Sequence, residues 1–297
     1  MTLVTARVTT AQIQLFSTFN MDDSIISQAV NDLQIPPQPK LLDRIDILLR
    51  QDEPDINRVA DLITKDVAIS ASVLKIINSP LYNLKQTVVS IRQATLYIGL
   101  DGLVTLVKGM LLKQAFLQSH CSLSLGRFWD TAEEVARAAI NINKELRLSL
   151  PNDYLYALGL FHDAGIPVFA STFSDYKQTL MDANSSSFES ILDIENRRYG
   201  TNHANIGYLM GHSWNLPEVI CEIIAKHHDQ GFWRDQSDSE LAKLNSVFQL
   251  AEFSVHKSRR GFDSLDWLVA KDYVLPTLDI ASDELEEFRT FIIEQGV

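Results

Sequence analysis

Two adjacent residues, His162 and Asp163, offer an imidazole and a carboxylate side by side, and two more histidines, His203 and His227, recur on what read as inward helical faces. His162 falls four residues after Leu158 and seven after Leu155, so it shares their face of a helix. His203 precedes Ile206 by three and Met210 by seven. His227 follows Ile220 by seven, Ile223 by four and Ile224 by three, with His228 directly after it. Three helices therefore each turn a histidine toward one core, and Asp163 adds a carboxylate from the adjacent side. Converging imidazole and carboxylate groups suit a hard or borderline divalent cation. The competing reading is structural, since a lone histidine on an apolar face is ordinarily a core residue bonded to a backbone carbonyl. Three of them with the His162-Asp163 pair favour a shared site, occupied or vestigial. His212, just before Trp214, reads as a surface or loop residue, and His120 and His256 carry no signal.

The elements that must position these residues are helices. In Asp52 to Asp66, the residues Ile56, Val59, Leu62 and Ile63 repeat at helical spacing behind Pro54. A second helix runs to Asn78-Ser79-Pro80, where the proline ends it. Ser90 can cap a third, with Ile91, Ala94 and Ile98 on one face, and Asp101 can start a fourth. Further helices are expected over 127–146, 151–171, 187–199, 202–213, 217–228 and 241–259, with Pro151 and Pro217 in first turns that accept proline. No alternating strands and no internal repeat appear. The fold class is all-α: an N-terminal extension over 1–34, an N-terminal helical subdomain over 35–118, and a second helical subdomain over 119–297. The polar interval Leu117 to Leu125 marks the boundary.

Composition narrows the function. A chain of 297 residues with 46% hydrophobic and 22% charged residues can bury a sizeable core. Only 12 Gly and 9 Pro favour long helices over many turns. A formal net charge of −12 with no dense Lys/Arg cluster speaks against nucleic acid or an anionic membrane as partner. Cys121 and Cys221 form no CxxC pair and read as buried free thiols of a reducing compartment. No signal peptide is evident, and the apolar stretch Ile98 to Leu112 is short for a bilayer span and carries Asp101 and Lys108. A cytoplasmic location is expected.

The order of motifs resembles the HDOD family, a branch of the HD-domain superfamily of metal-dependent phosphohydrolases. The N-terminal half carries Ile35-Pro36-Pro37-Gln38-Pro39, Ile63-Thr64-Lys65-Asp66, Val73-Leu74-Lys75-Ile76-Ile77-Asn78-Ser79 and Ser90-Ile91-Arg92-Gln93-Ala94. The C-terminal half carries Gly159-Leu160-Phe161-His162-Asp163-Ala164-Gly165, then His203-Ala204-Asn205-Ile206-Gly207, Trp214-Asn215-Leu216-Pro217 and His227-His228. The resemblance implies an HD-like helical domain packed against an N-terminal helical subdomain. It also implies a ligand set for a divalent metal (Fe, Mn, Zn or Mg) of His162, Asp163, His203, His227, His228 and, in place of a late aspartate, Glu252. A solvent-facing position is the alternative for Glu252.

Two departures bear on activity. Thr131 stands where catalytic relatives carry their first histidine, and Ile166 replaces a lysine that often follows the HD pair. Threonine is a poor ligand, and isoleucine cannot hold a substrate phosphate. The resemblance therefore implies a bacterial signalling or regulatory module with a degenerate site, retaining a metal or an empty polar pocket, and acting through contacts with a protein partner the sequence does not name. No fused receiver is expected, and Tyr82-Asn83-Leu84-Lys85-Gln86 is one candidate contact loop. The alternative is a metal-dependent phosphohydrolase acting on a nucleotide or cyclic dinucleotide, with Asp163 as its catalytic carboxylate.

Overall fold

The structure is a computed structural model that describes residues 33, 35–82, 84–116, 121–186, 188–236 and 239–295. The expected extension over 1–34 lies outside these residues save Leu33, as do Asn83 of the candidate contact loop and residues 117–120 of the polar interval, His120 among them. Every regular element among the described residues is a helix, which bears out the all-α reading.

The N-terminal half comprises α1 (Lys40–Leu49), α2 (Ile56–Thr64), α3 (Val67–Ile77) and the long α4 (Ile91–Phe116). Aspartates start two of them: Asp55 Oδ1 accepts from Asn57 N at 2.9 Å, and Asp66 Oδ1 accepts from Ile69 N at 3.0 Å. Such caps satisfy amide groups that a helix start leaves unpaired. Val59, Ala60 and Ile63 of α2 and Ile69, Val73 and Ile77 of α3 are buried, and both helices pack on α4. Ser90 caps the first turn of α4 as expected. The expected break before a fourth helix falls at Gly99 rather than Asp101. Gly99 has φ 75° and ψ 172°, a conformation that only glycine adopts without strain. By length and composition this helical run could cross a membrane, yet 67% of its most apolar window is buried within the protein.

The remaining helices are α5 (Leu125–Glu145), α6 (Asn152–Phe161), α7 (Gly165–Thr172), α8 (Tyr176–Ser185), α9 (Ile191–Tyr199), α10 (His203–Ser213), α11 (Glu218–Lys226), α12 (Gln230–Arg234), α13 (Glu240–Arg260), α14 (Leu265–Thr277) and α15 (Leu285–Glu294). The buried stripe Trp129, Val135, Ala136, Ala139 and Ile142 lets α5 pack between α6 and α13. Helices α1, α8, α12, α14 and α15 go beyond those expected from periodicity.

A second boundary differs from the expected one. The single helix over 151–171 is two helices, because residues 162–164 form a turn closed by Ala164 N to Phe161 O at 3.0 Å and Ile166 N to Asp163 O at 2.8 Å. Nearly every residue from Leu155 to Ala170 is buried, so the apolar pattern runs through the turn without marking it. Cys221 is buried and Cys121 half-buried, and both are free thiols.

The two halves meet along α4 and α6, and a polar seam ties them. Lys108, only 4% exposed, donates from Nζ to the carbonyl oxygen of Asn215. Asn215 Nδ2 donates to Asp46 Oδ2 at 2.8 Å, and Gln38 Nε2 donates to the same oxygen at 2.7 Å. Asn215 sits just past α10 with φ 51°. The seam satisfies an ammonium group that burial would otherwise penalise heavily.

Candidate metal centre

Asp163 leaves the end of α6 in the turn that precedes α7, and three helix ends bring histidines to it. His203 opens α10, whose first turn is capped by Asn202 accepting from Asn205 N at 3.0 Å. His227 closes α11, and His228 follows it in the turn before α12. Residues at helix ends can aim their side chains into a shared space that mid-helix residues would have to cross a full turn to reach. Ligand atoms from Asp163, His203, His227 and His228 all lie within 4.8 Å of one another.

The Nδ1 atoms explain which face each ring presents. His203 Nδ1 donates to Glu195 Oε2 at 2.8 Å, and His228 Nδ1 donates to Asp266 Oδ2 at 2.8 Å. His227 Nδ1 donates to Ile224 O at 2.7 Å, and His162 Nδ1 to Gly159 O at 3.0 Å. All four rings therefore turn Nε2 inward, and a neutral imidazole holding its proton on Nδ1 has a bare lone pair on Nε2. The Nε2 atoms of His203 and His228 stand 3.1 Å apart. His227 Nε2 is buried with no hydrogen-bond partner. Lone pairs pointed at one another at this distance need a proton or a cation between them.

The spacing fits a cation. Four ligands at bonds of about 2.1 Å stand about 3.4 Å apart in a tetrahedral site. Here His203 Nε2 is 3.3 Å from Asp163 Oδ1, and His227 Nε2 is 3.7 Å from the same oxygen. Glu195 and Asp266 supply the carboxylate backing that typically orients and strengthens imidazole ligands. Glu195 is fully buried and also accepts from His203 N at 2.9 Å and from the Tyr176 hydroxyl.

Electrostatics mark the cluster as a place that attracts positive charge, whether a proton or a cation in its stead. Burial opposes charge on His203, but Glu195 and Asp163 outweigh it and lift the imidazole to about 10. Burial likewise opposes charge on His162, yet Asp163 raises it to about 9. Burial and the neighbouring His228 instead push His227 down to about 3. Asp163 stays ionised: burial opposes its charge, and His162, His203 and His227 hold it well below the usual carboxylate range.

The other side of the site is different. His162 adjoins the cluster through Asp163, with Nε2 at 3.3 Å from Oδ2. Glu252, on α13, lies on the same pocket wall but outside the four-donor group, with His256 Nδ1 at 3.8 Å. Burial raises the Glu252 carboxyl above its usual value. Thr131 also lines the pocket, but its hydroxyl turns back to Arg127 O at 2.9 Å on its own helix. The pocket has a volume of roughly 600 Å³ and reaches the cluster through His162, Asp163, His203 and His228. Ile166 forms part of its apolar side. His212 lies away from the cluster, with Nε2 3.3 Å from Glu218 Oε2.

The sequence model of the HDOD domain matches residues 35–230. The chain belongs to the HDOD family. Among solved structures, an HDOD domain protein of Geobacter sulfurreducens, itself of unknown function, aligns with a TM-score of 0.59 at 23% identity, over 96% of this chain and 97% of that one. A Shewanella amazonensis protein provisionally named a phosphohydrolase aligns with a TM-score of 0.64 at 19% identity, over 92% and 95%. At these identities the likeness shows the HDOD fold alone. An uncharacterized protein of Treponema pallidum is 26% identical over 206 residues, and this chain spans 69% of itself and 39% of that relative.

Within this HDOD chain, the structure brings together Asp163, His203, His227 and His228, sets His162 beside them, and leaves Glu252 facing the pocket. Sequence reasoning missed Glu195, Asp266 and Tyr176, which lie on other helices with no motif spacing to mark them. It also set aside His256, although its i+4 spacing from Glu252 puts both on one face of α13.

Proposed function

We propose that the protein is a regulatory HDOD module that holds one divalent cation with Asp163, His203, His227 and His228 and uses it to bind a phosphoryl-bearing small molecule. The observation that carries this reading is the set of inward Nε2 atoms, two of them backed by buried or half-buried carboxylates. A cation there supplies Lewis acidity toward a phosphoryl oxygen. Around it, the chain's own residues orient the rings, keep Asp163 ionised and shield the floor of the pocket from bulk water.

The wall opposite the cluster argues for binding rather than efficient turnover. Thr131 offers a second cation only a neutral hydroxyl, a poor ligand whose proton is held by Arg127 O, and Ile166 offers no charge to a phosphate. The result of ligand binding would be passed to a protein partner, in a cytoplasmic setting. Exposed apolar side chains on the N-terminal half support such a contact: Val67 at 80% exposure, Val89 at 76% and Leu96 at 85%.

A phosphohydrolase is the second reading, favoured by a roomy pocket that opens directly onto Asp163. Metal analysis of protein purified without chelator, followed by a phosphomonoesterase and phosphodiesterase panel with Mn²⁺, Fe²⁺ and Mg²⁺, separates the two. One bound cation and no turnover is the expected result. Turnover that disappears in His203→Ala would overturn the regulatory reading.

A further inference from the structure

Helix α13 sends three side chains into the pocket at intervals of four residues: Glu252, His256 and Arg260. Spacing of i, i+4 and i+8 keeps them on one side of the helix. Over eight residues the axis rises about 12 Å, so this row leads from the cluster's surroundings out toward the mouth of the pocket. Arg260 is the outermost member.

Its charge is not balanced. Neighbouring Arg259 turns away and donates to both carboxylate oxygens of Glu134, at 2.8 and 2.6 Å. Arg260 holds only an amide oxygen, donating from Nη1 to Asn184 Oδ1 at 2.9 Å. The carboxylates of the pocket wall are otherwise engaged. Glu189 is paired with Arg197, Asp263 with Lys257 at 2.6 Å, and Asp266 with His228. Asp163 is surrounded by imidazoles, and Glu252 has no partner nearer than His256. Among the described residues Arg260 makes no ion pair; it is an exposed residue that lines the pocket, and its donors beyond the Asn184 contact are left for a ligand. Such a group is suited to an anionic oxygen, which it can take with paired donors.

The same pocket is also lined by Phe128, Leu180, Phe262, Leu265 and Leu268, interspersed with polar residues such as Ser186 and Ser190. Phe262 is 51% exposed and stands two residues after Arg260. The volume, roughly 600 Å³, suits a nucleotide-sized molecule. An aromatic rim beside a charge anchor is the arrangement on which a base can stack.

We propose that Arg260 is a second anion anchor of this pocket, selecting a nucleotide with two separate phosphoryl groups, one directed to the His/Asp cluster and the other to the guanidinium. This assignment rests on the cation reading for the inner phosphoryl group, but the outer contact is measurable by itself.

The test uses the full chain with Mn²⁺, whose binding is first measured alone by titration. Calorimetry then compares adenosine 3′,5′-bisphosphate with the 5′- and 3′-monophosphates, on wild type, Arg260→Gln and Arg260→Lys. In wild type the bisphosphate should bind about tenfold more tightly than either monophosphate, the scale of one charge-assisted contact. That gap should vanish in Arg260→Gln, persist in part in Arg260→Lys, and leave Mn²⁺ binding unchanged in both. No gap in wild type, or an undiminished gap in Arg260→Gln, overturns the anchor. If wild type binds no Mn²⁺ but shows the Arg260-dependent gap, the cation reading fails and the anchor stands.

Discussion

A Cβ atom on Gly165 would lie 2.1 Å from the carbonyl oxygen of His203, so α7 and α10 touch backbone to backbone beside the His/Asp cluster. The contact places the first residue of α10 directly against the turn that carries Asp163. No side chain mediates between them.

Gly165→Ala should therefore force the two helices apart. Overpacking of this kind costs roughly 1–3 kcal/mol, and a rigid backbone neighbour puts it at the upper end. Denaturant unfolding should show a lower midpoint with an unchanged slope. A variant as stable as wild type would mean that the helices have room to separate.

Glu195→Gln and Asp266→Asn each remove an ionised acceptor behind a ring while keeping the shape. Loss of such backing typically lowers cation affinity about 10- to 100-fold. Competition with a chromophoric chelator reads this directly. Glu195→Gln should have the larger effect, because Glu195 holds both the ring and the backbone amide of His203. Equal affinity in all three proteins would remove these carboxylates from the account.

Cation uptake should release protons. His203 is raised to about 10 and His162 to about 9, so the cation-free cluster holds protons at neutral pH. A cation needs the bare Nε2 atoms and must displace them. Raising the pH removes its competitor and strengthens binding, and acid weakens it. Calorimetry in buffers of different ionisation enthalpy should report release of about one proton per cation near pH 7. Binding that does not change between pH 6 and 8 would contradict this.

Much of the centre was legible because imidazole is conspicuous and helical spacing is regular. His203 and His227 show their inward faces in the positions of Ile206, Met210, Ile220 and Ile223. The HD pair was legible as chemistry but not as structure: both of its flanks are buried, so no change of pattern marks the turn that aims Asp163. Glu195 was hidden for another reason. It lies eight residues before His203, across the Gly200 turn, and nothing in its surroundings separates it from an ordinary acid on an exposed helix. Asp266 is 38 residues from His228, and only the packing of α14 brings them together. Arg260 belongs to no dense basic cluster and so did not stand out in the sequence; its environment depends on which way the last turn of α13 faces.

Helix α10 begins at His203 and hands the chain to Asn215, which grips Lys108 and Asp46 on the other half of the molecule. Its 11 residues make a rod about 16 Å long. One end sits among the imidazoles and the other at the seam, so the helix works as a lever arm with a load at each tip. A shift of His203 along the axis must either bend the rod or move the grip on α4 and α1. Displacement of the ring at one tip would thus be felt at the buried seam between the two halves.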